Sequence, residues 1–131
     1  MDAQTIQYKL IMHEDLNNHN TLFGGTALKW MDEAAYITAN NFLKTKVVTA
    51  YVNQVKFLLP INLGDIIEIV SKIEKISNAK IEIRLTINID KNQTGNKEKA
   101  VEGLFTLAAV DEQNKPIIIP LSEEQKQAIT I

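Results

Sequence analysis

The chain has 131 residues, the length of one domain, and its 45% hydrophobic and 23% charged residues are typical of a globular protein. Its formal net charge of −2 argues against a nucleic-acid partner, because binding to phosphates needs a concentrated basic surface. The absence of cysteine excludes disulfides, thiol nucleophiles and thiolate metal sites, and no apolar run is long enough for a membrane span, so we expect a cytoplasmic protein.

The N-terminal third predicts a strand, a polar loop and one long helix. The strand covers Ile6 to Met12, and residues 13–21 predict a loop because they are rich in turn-forming residues. From Gly24-Gly25 to about Leu43 the chain has no proline and no further glycine. Apolar side chains recur there at helical spacing, namely Leu28, Met31, Ala35, Ala39 and Phe42.

From Val47 onward the hydrophobic period changes to two, which predicts successive strands. The predicted strands are Val48 to Leu59, Ile66 to Ile76, Ile81 to Ile89 and Lys99 to Val110. Ser77-Asn78 predicts a turn or bulge, and residues 111–114 a tight turn into a run from 115 to 119 that Pro120 ends. We expect Ser122 to cap a short C-terminal helix.

One long helix followed by several antiparallel strands is an α+β pattern, here in a single domain over residues 1–131. A sheet that buries one face needs a cover, and the sequence offers one sizeable helix. We therefore expect a curved antiparallel sheet of five or six strands wrapped around that helix. A lone subunit would expose the edges of this sheet, so we also expect at least a two-fold dimer with edge strands joined.

The start of the predicted helix combines a candidate oxyanion-binding element with a carboxylate. Gly24 and Gly25 mark a helix N-terminus whose unpaired N–H groups can hold an oxyanion. Asp32 lies at the edge of the apolar stripe, where a carboxylate can activate water or attack a carbonyl. We expect no metal and no redox cofactor, because the sequence has no cysteine, and His13 and His19 lack metal-site spacing.

Each of these features also has a plainer interpretation. A Gly-Gly pair before a helix is most often only a turn, and an acid in the first half of a helix most often complements the helix dipole at the surface. Asn17 and Asn20 would ordinarily be turn residues. The combination, rather than any single residue, carries the functional hypothesis.

The combined pattern resembles the hotdog-fold acyl-CoA hydrolases. That family carries N-x-x-G-x-x-x-G-G and then an M-D pair on its central helix. Here Asn17-x-x-Asn20-x-x-x-Gly24-Gly25 is followed by Met31-Asp32. The likeness continues through residues 48–60, 64–65, 100–111, 115–116 and 120, so that it covers the chain from about residue 6 to 120. Asn20 stands where the family has glycine, and asparagine tolerates left-handed backbone better than most residues.

The resemblance implies hydrolysis of acyl-CoA thioesters to a free carboxylic acid and coenzyme A, which enters only as part of substrate and product. Asp32 would be the general base or the nucleophile. Asn17 would assist it from across a subunit interface, and the backbone of Gly24 and Gly25 would bind the thioester oxygen. The resemblance further suggests assembly into a trimer of dimers.

The resemblance also implies substrate-binding positions. Thr49 and Phe57 match positions near the active-site pocket. The segment 77–80, with Ser77, Asn78 and Lys80, replaces a glycine and small hydroxyl residues that border the coenzyme A channel in the family. Basic residues that would supply charge for the coenzyme A phosphates at the outer face of the sheet are Lys56, Lys80 and Arg84.

Two alternatives use the same fold. A hydratase or dehydratase acting on acyl thioesters typically pairs a histidine with a carboxylate, and no histidine lies on the predicted helix or on any later strand. A non-catalytic acyl-CoA-binding module would keep the pocket, but we would expect it to lack the acid at position 32, where this chain has Asp32.

Overall fold

The computed structural model describes residues 3–91 and 93–129, so both ends of the predicted domain 1–131 lie outside the described residues. In chain order, the elements are β1 (Gln4–Leu10), a 3-10 turn (His13–Asp15), α1 (Gly24–Leu43), β2 (Val47–Phe57), β3 (Ile66–Ile76), β4 (Lys80–Ile89), β5 (Glu98–Ala109) and α2 (Glu123–Ile129). Neither α-helix in these ranges is long and apolar enough to cross a membrane.

The five strands form one antiparallel sheet in the order β1-β3-β4-β5-β2, so β1 and β2 are its edges. Helix α1 contacts every strand of the sheet. The small side chains of Ala34, Ala35 and Ala39 are fully buried and let α1 lie close to the sheet. The α+β prediction of a curved sheet around one long helix is confirmed, in the arrangement that the hotdog resemblance implies.

The boundaries of the helices and strands agree with the predicted ones to within two residues. The exception is the segment that follows β5. There the run from 115 to 119 adds only an isolated bridge between Pro116 and Val110. Proline lacks the N–H that would continue a ladder, so the run stays outside the sheet. Ser122 caps α2 as predicted: its Oγ accepts from the N–H of Gln125 at 3.1 Å, and its own N–H donates to Gln125 Oε1 at 2.9 Å.

Strand β2 carries two bulges that decide which of its side chains face α1. The pairing with β5 runs regularly to Thr49, skips Ala50 and resumes at Tyr51. A second interruption falls between Asn53 and Lys56. An extra residue in one strand shifts the side-chain alternation by one. Thr49, Val52, Val55 and Phe57 therefore face α1, whereas Tyr51, Asn53 and Lys56 face away from it.

Candidate active site

The carboxylate of Asp32 is held by a hydroxyl group from the sheet. Asp32 lies near the middle of α1 and is half-buried, and the Thr49 Oγ1 hydroxyl donates to its Oδ1 over 2.6 Å. Hydrogen bonds to an ionised group are short and about twice as strong as neutral ones. Thr49 thus fixes the orientation of the carboxylate, whose second oxygen accepts no hydrogen bond from residues 3–91 or 93–129.

Two clefts of different character meet at Asp32. One has a volume of about 700 Å³ and is lined mostly by residues with polar side chains, including Gln7, Lys9, Glu33, Tyr36 and Thr49. The other has a volume of about 330 Å³ and is lined, apart from Lys29 and Asp32, by Gly25, Leu28, Val52, Val55 and Phe105. A carboxylate at this junction can reach the bond that joins an apolar group to a polar one.

The N-terminus of α1 offers free hydrogen-bond donors. Its N-cap residue, Phe23, makes no side-chain cap, and the carbonyl of Phe23 accepts from Thr26 and Ala27. The N–H groups of Gly24 and Gly25 have no partner within residues 3–91 and 93–129. The ring of Phe57 lies beside Gly24, since a Cβ atom at Gly24 would be 3.5 Å from Phe57 Cζ. The fold thus brings two predicted site residues together at a place suited to bind an oxyanion.

Asn17 organises the loop that leads into α1. Its Nδ2 donates to Thr21 Oγ1 at 3.0 Å, and its Oδ1 accepts from the N–H groups of His19 at 2.8 Å and Thr21 at 3.2 Å. Asn20 has a φ of 64°, so the expected left-handed backbone at this position is confirmed. Within the described part of a single subunit, Asn17 makes no hydrogen bond to Asp32.

The predicted coenzyme A-binding residues lie on the opposite face of the sheet from Asp32. Lys80 places its Nζ 5.1 Å from the centre of the Tyr51 ring, and Arg84 pairs with Glu74 at 2.9 Å. Lys56 is exposed on the same face, opposite Glu102 in the β2–β5 ladder.

Ser77 and Asn78 form the tight turn between β3 and β4. The Ser77 N–H donates to the Lys80 carbonyl at 2.8 Å, and the carbonyl of Asn78 accepts from the N–H of Ile119 at 2.8 Å. The structure therefore gathers Lys56, Lys80, Arg84 and this turn at the outer face, and it gathers Asp32, Thr49, Gly24 and Phe57 at the inner one.

The residues that line the apolar cleft on the strand side were not predicted from the sequence. Val52 lies on the same face of the sheet as Thr49 only because of the first bulge in β2, and the second bulge returns Val55 to that face. Phe105 of the neighbouring strand β5 completes this side of the cleft. A weak signal existed in Asn53-Gln54, two consecutive polar residues that interrupt the alternation of a strand. Gln54 has a φ of 53°, which places the irregularity there.

Comparisons with known proteins agree with this geometry. Residues 19–95 match the family model of the thioesterase superfamily. The acyl-CoA thioester hydrolase YciA of Salmonella typhimurium is 31% identical over 115 residues, which cover 86% of this chain and 86% of that protein.

Two solved structures are similar over most of the chain. The acyl-CoA hydrolase of Staphylococcus aureus, in complex with butyryl coenzyme A, coenzyme A and coenzyme A disulfide, is 30% identical with a TM-score of 0.86, covering 98% of this chain and 80% of that one. A hexameric thioesterase from Yersinia pestis is 29% identical with a TM-score of 0.80, covering 88% and 93%.

The Staphylococcus aureus enzyme has also been solved as three variants in which one asparagine, one aspartate or one threonine is replaced by alanine. In that enzyme the aspartate follows the asparagine by 15 residues, and the threonine follows the aspartate by 17. In this chain Asp32 follows Asn17 by 15 residues, and Thr49 follows Asp32 by 17.

Proposed function

The chain belongs to the thioesterase superfamily, and we propose that it hydrolyses acyl-CoA thioesters to a carboxylic acid and coenzyme A at the cleft beside Asp32. The observation that carries the proposal is the carboxylate of Asp32, oriented by Thr49 where an apolar and a polar cleft meet. An acyl-CoA has the matching division, with an apolar acyl chain on one side of the thioester and a polar arm on the other.

In the reaction, Asp32 either removes a proton from water as the water attacks the thioester carbon, or attacks that carbon itself. Both routes break the carbon–sulfur bond and release coenzyme A as the thiol. In the second route, water then hydrolyses the anhydride formed between the acyl group and Asp32, which releases the carboxylic acid. Negative charge develops on the carbonyl oxygen in either case and needs nearby N–H donors. The free N–H groups of Gly24 and Gly25 are the candidates for this role.

The distance along α1 argues for a site shared between two subunits. Asp32 lies seven positions after Gly25, and at about 1.5 Å per residue this rise along the helix is roughly 10 Å. One carbonyl group cannot reach both places. We therefore assign Asp32 to one subunit, and the partner subunit's Asn17, Gly24 and Gly25 to the facing half of the same site. The asparagine, aspartate and threonine chosen for substitution in the Staphylococcus aureus enzyme support this set, since their spacing matches Asn17, Asp32 and Thr49.

The edge strand β2 is the surface through which the dimer would form. Its side chains are exposed on both faces from Val48 to Gln54, which is unusual for a strand that includes Tyr51 and Val52. Pairing with a second β2 would cover this edge. The hexameric relative supports a further assembly into a trimer of dimers.

The test is a panel of acyl-CoA substrates from acetyl to palmitoyl, with release of free thiol measured for the wild type and for Asp32→Asn. Asn keeps the size and the hydrogen bonding of Asp but removes its basicity, so kcat should fall by about 10²- to 10⁴-fold. Glu33→Gln is the matched control, because Glu33 lines the polar cleft but accepts no hydrogen bond from Thr49. Its kcat should stay within a few-fold of wild type. Equal losses in both variants, or wild-type kcat in Asp32→Asn, would refute the assignment of Asp32.

A further inference from the structure

The second bulge of β2 places Val55 over the only glycine of β5. Between the pairs Asn53–Leu104 and Lys56–Glu102, two residues of β2 stand opposite Gly103 alone. Gln54 takes up the irregularity with its left-handed φ of 53°. Val55 is thereby turned toward α1, where it forms part of the apolar cleft beside Asp32.

Gly103 determines how deeply Val55 can lie. A Cβ atom at this position would be 3.0 Å from Val55 Cγ2, 3.4 Å from Phe105 Cε1 and 3.5 Å from Met31 Cε. The side chains of Met31 and Phe105 are 0% and 1% exposed and are closed in by the core. Val55 is half-buried on an edge strand, so its side chain is the one that a Cβ atom at position 103 would displace. The displacement would be toward the cleft.

The chemistry of the two clefts indicates which part of a substrate each one holds. Burying the amide and phosphate groups of coenzyme A in the 330 Å³ apolar cleft would cost free energy without hydrogen-bond partners to offset it. An acyl chain carries no such groups. We infer that Val55 and Gly103 together set the depth of this cleft, and thereby the longest acyl chain that is hydrolysed efficiently. This inference rests on the proposed function, because it takes hydrolysis at Asp32 as given.

Substitutions at the two positions should move the chain-length preference in opposite directions. Val55→Ala deepens the cleft and should favour longer chains by about fourfold in kcat/KM per additional buried methylene. Gly103→Ala pushes Val55 into the cleft and should disfavour longer chains by about tenfold or more. The double variant should return toward the wild-type preference, because the new methyl group at 103 then occupies space vacated at 55.

The experiment measures kcat/KM for acetyl-, butyryl-, hexanoyl-, octanoyl- and decanoyl-CoA with the wild type, both single variants and the double variant. Val48→Ala is the matched control, since Val48 is a valine of the same strand that faces the outer side of the sheet. Thermal unfolding verifies that each variant is folded, and Val55→Ala carries the test if Gly103→Ala does not fold.

Opposite shifts of the preferred chain length, with an unchanged preference in Val48→Ala, are the expected result. If the wild type hydrolyses these substrates and Val55→Ala has the same chain-length profile as the wild type, the inference is overturned. The proposed function then stays intact. A shift in Val48→Ala as large as in Val55→Ala overturns it too. No hydrolysis of any of these substrates by the wild type would instead overturn the proposed function, and this inference with it.

Discussion

The Thr49 hydroxyl and the Asp32 carboxylate are joined by a hydrogen bond of 2.6 Å that links the middle of helix α1 to the edge strand β2. The residues are 17 positions apart and belong to elements that have no other polar link between their side chains among the described residues. Because α1 is anchored in the core along its buried face, the hydrogen bond positions the carboxylate with respect to the strand and to both clefts.

Removing the Thr49 hydroxyl should reduce catalysis without unfolding the protein. A hydrogen bond to a charged group contributes about 1.5–3 kcal/mol, so Thr49→Val should lower kcat by roughly tenfold or more. Thr49→Ser keeps the donor and should retain most of the activity. Thr86→Val, on the outer face of β4, controls for the loss of a strand hydroxyl. Activity in Thr49→Val equal to that in Thr49→Ser would show that the hydrogen bond does not matter for turnover.

Mixed oligomers test the shared site directly. Subunits with Asp32→Asn, combined with subunits with Asn17→Ala, should regain activity, because each mixed dimer rebuilds one intact site. Random exchange restores about a quarter of the wild-type sites. Thr21→Val is the control for the loop, since it removes the acceptor of the Asn17 side chain but keeps the Asn17 amide. Mixed dimers that form stably and stay inactive would place Asn17 and Asp32 in separate sites.

The basic residues of the outer face are proposed to bind the coenzyme A phosphates. Arg84 already pairs with Glu74, so Lys56 and Lys80 should contribute more of the available charge. Replacing both lysines with Ala should raise KM for acyl-CoA but hardly alter KM for the corresponding pantetheine thioester, which has no nucleotide. The measurement is steady-state kinetics on both substrates at low and high salt, because exposed charges are screened by salt. An equal rise in KM for both thioesters would argue against phosphate contacts.

The residue that caps the C-terminus of α1 is Lys44, whose backbone adopts the left-handed conformation that favours glycine. Lys44 has a φ of 57°, and its N–H donates to the carbonyl of Asn40 at 2.8 Å. Lys44→Gly should raise the free energy of unfolding by about 0.5–1 kcal/mol, because glycine adopts this conformation without strain. Lys46→Gly should instead lower it, since Lys46 has no positive φ. Urea unfolding of both variants checks this, and a destabilised Lys44→Gly would contradict it.

Glu68 makes stability depend on pH. The hydrogen bond from Lys97 chiefly holds the pKa of the Glu68 carboxyl below its ordinary value of 4.5, with help from Asn88 and Tyr8, while burial raises it. A carboxyl whose pKa is lowered by folding stabilises the protein above its unfolded pKa, and that stabilisation is lost as the pH falls through the folded pKa. Glu68→Gln should therefore be less stable than wild type at neutral pH by up to about 1 kcal/mol.

The difference between Glu68→Gln and wild type should shrink as the pH falls below 4.5, when the wild-type carboxyl also becomes neutral. Urea unfolding at several pH values measures it. Glu112→Gln, in the exposed turn after β5, should match wild type throughout. A stability difference that stays constant with pH would mean that Glu68 acts through packing rather than through charge.

The sequence by itself determined the secondary structure and indicated where in the chain the candidate site lies. The helical spacing of Leu28, Met31, Ala35 and Ala39 and the alternation from Ile81 to Ile89 are local patterns, so they predict α1 and β4 without reference to the rest of the fold. The position of Asp32 behind a glycine-marked helix start is local for the same reason. The roles proposed for Asn17, Gly24 and Gly25 stay predictions, because they concern a second subunit.

Only the tertiary structure decided which side chains meet at the site. Strict alternation along β2 would place Thr49, Tyr51, Asn53, Val55 and Phe57 on one face. The two bulges turn Tyr51 and Asn53 to the outer face and keep the other three beside α1. A bulge exists only in the pairing of two strands, and β5 is distant from β2 in the chain. The period of a single strand therefore does not contain the information that turns Val52 toward the cleft and sets Val55 opposite Gly103.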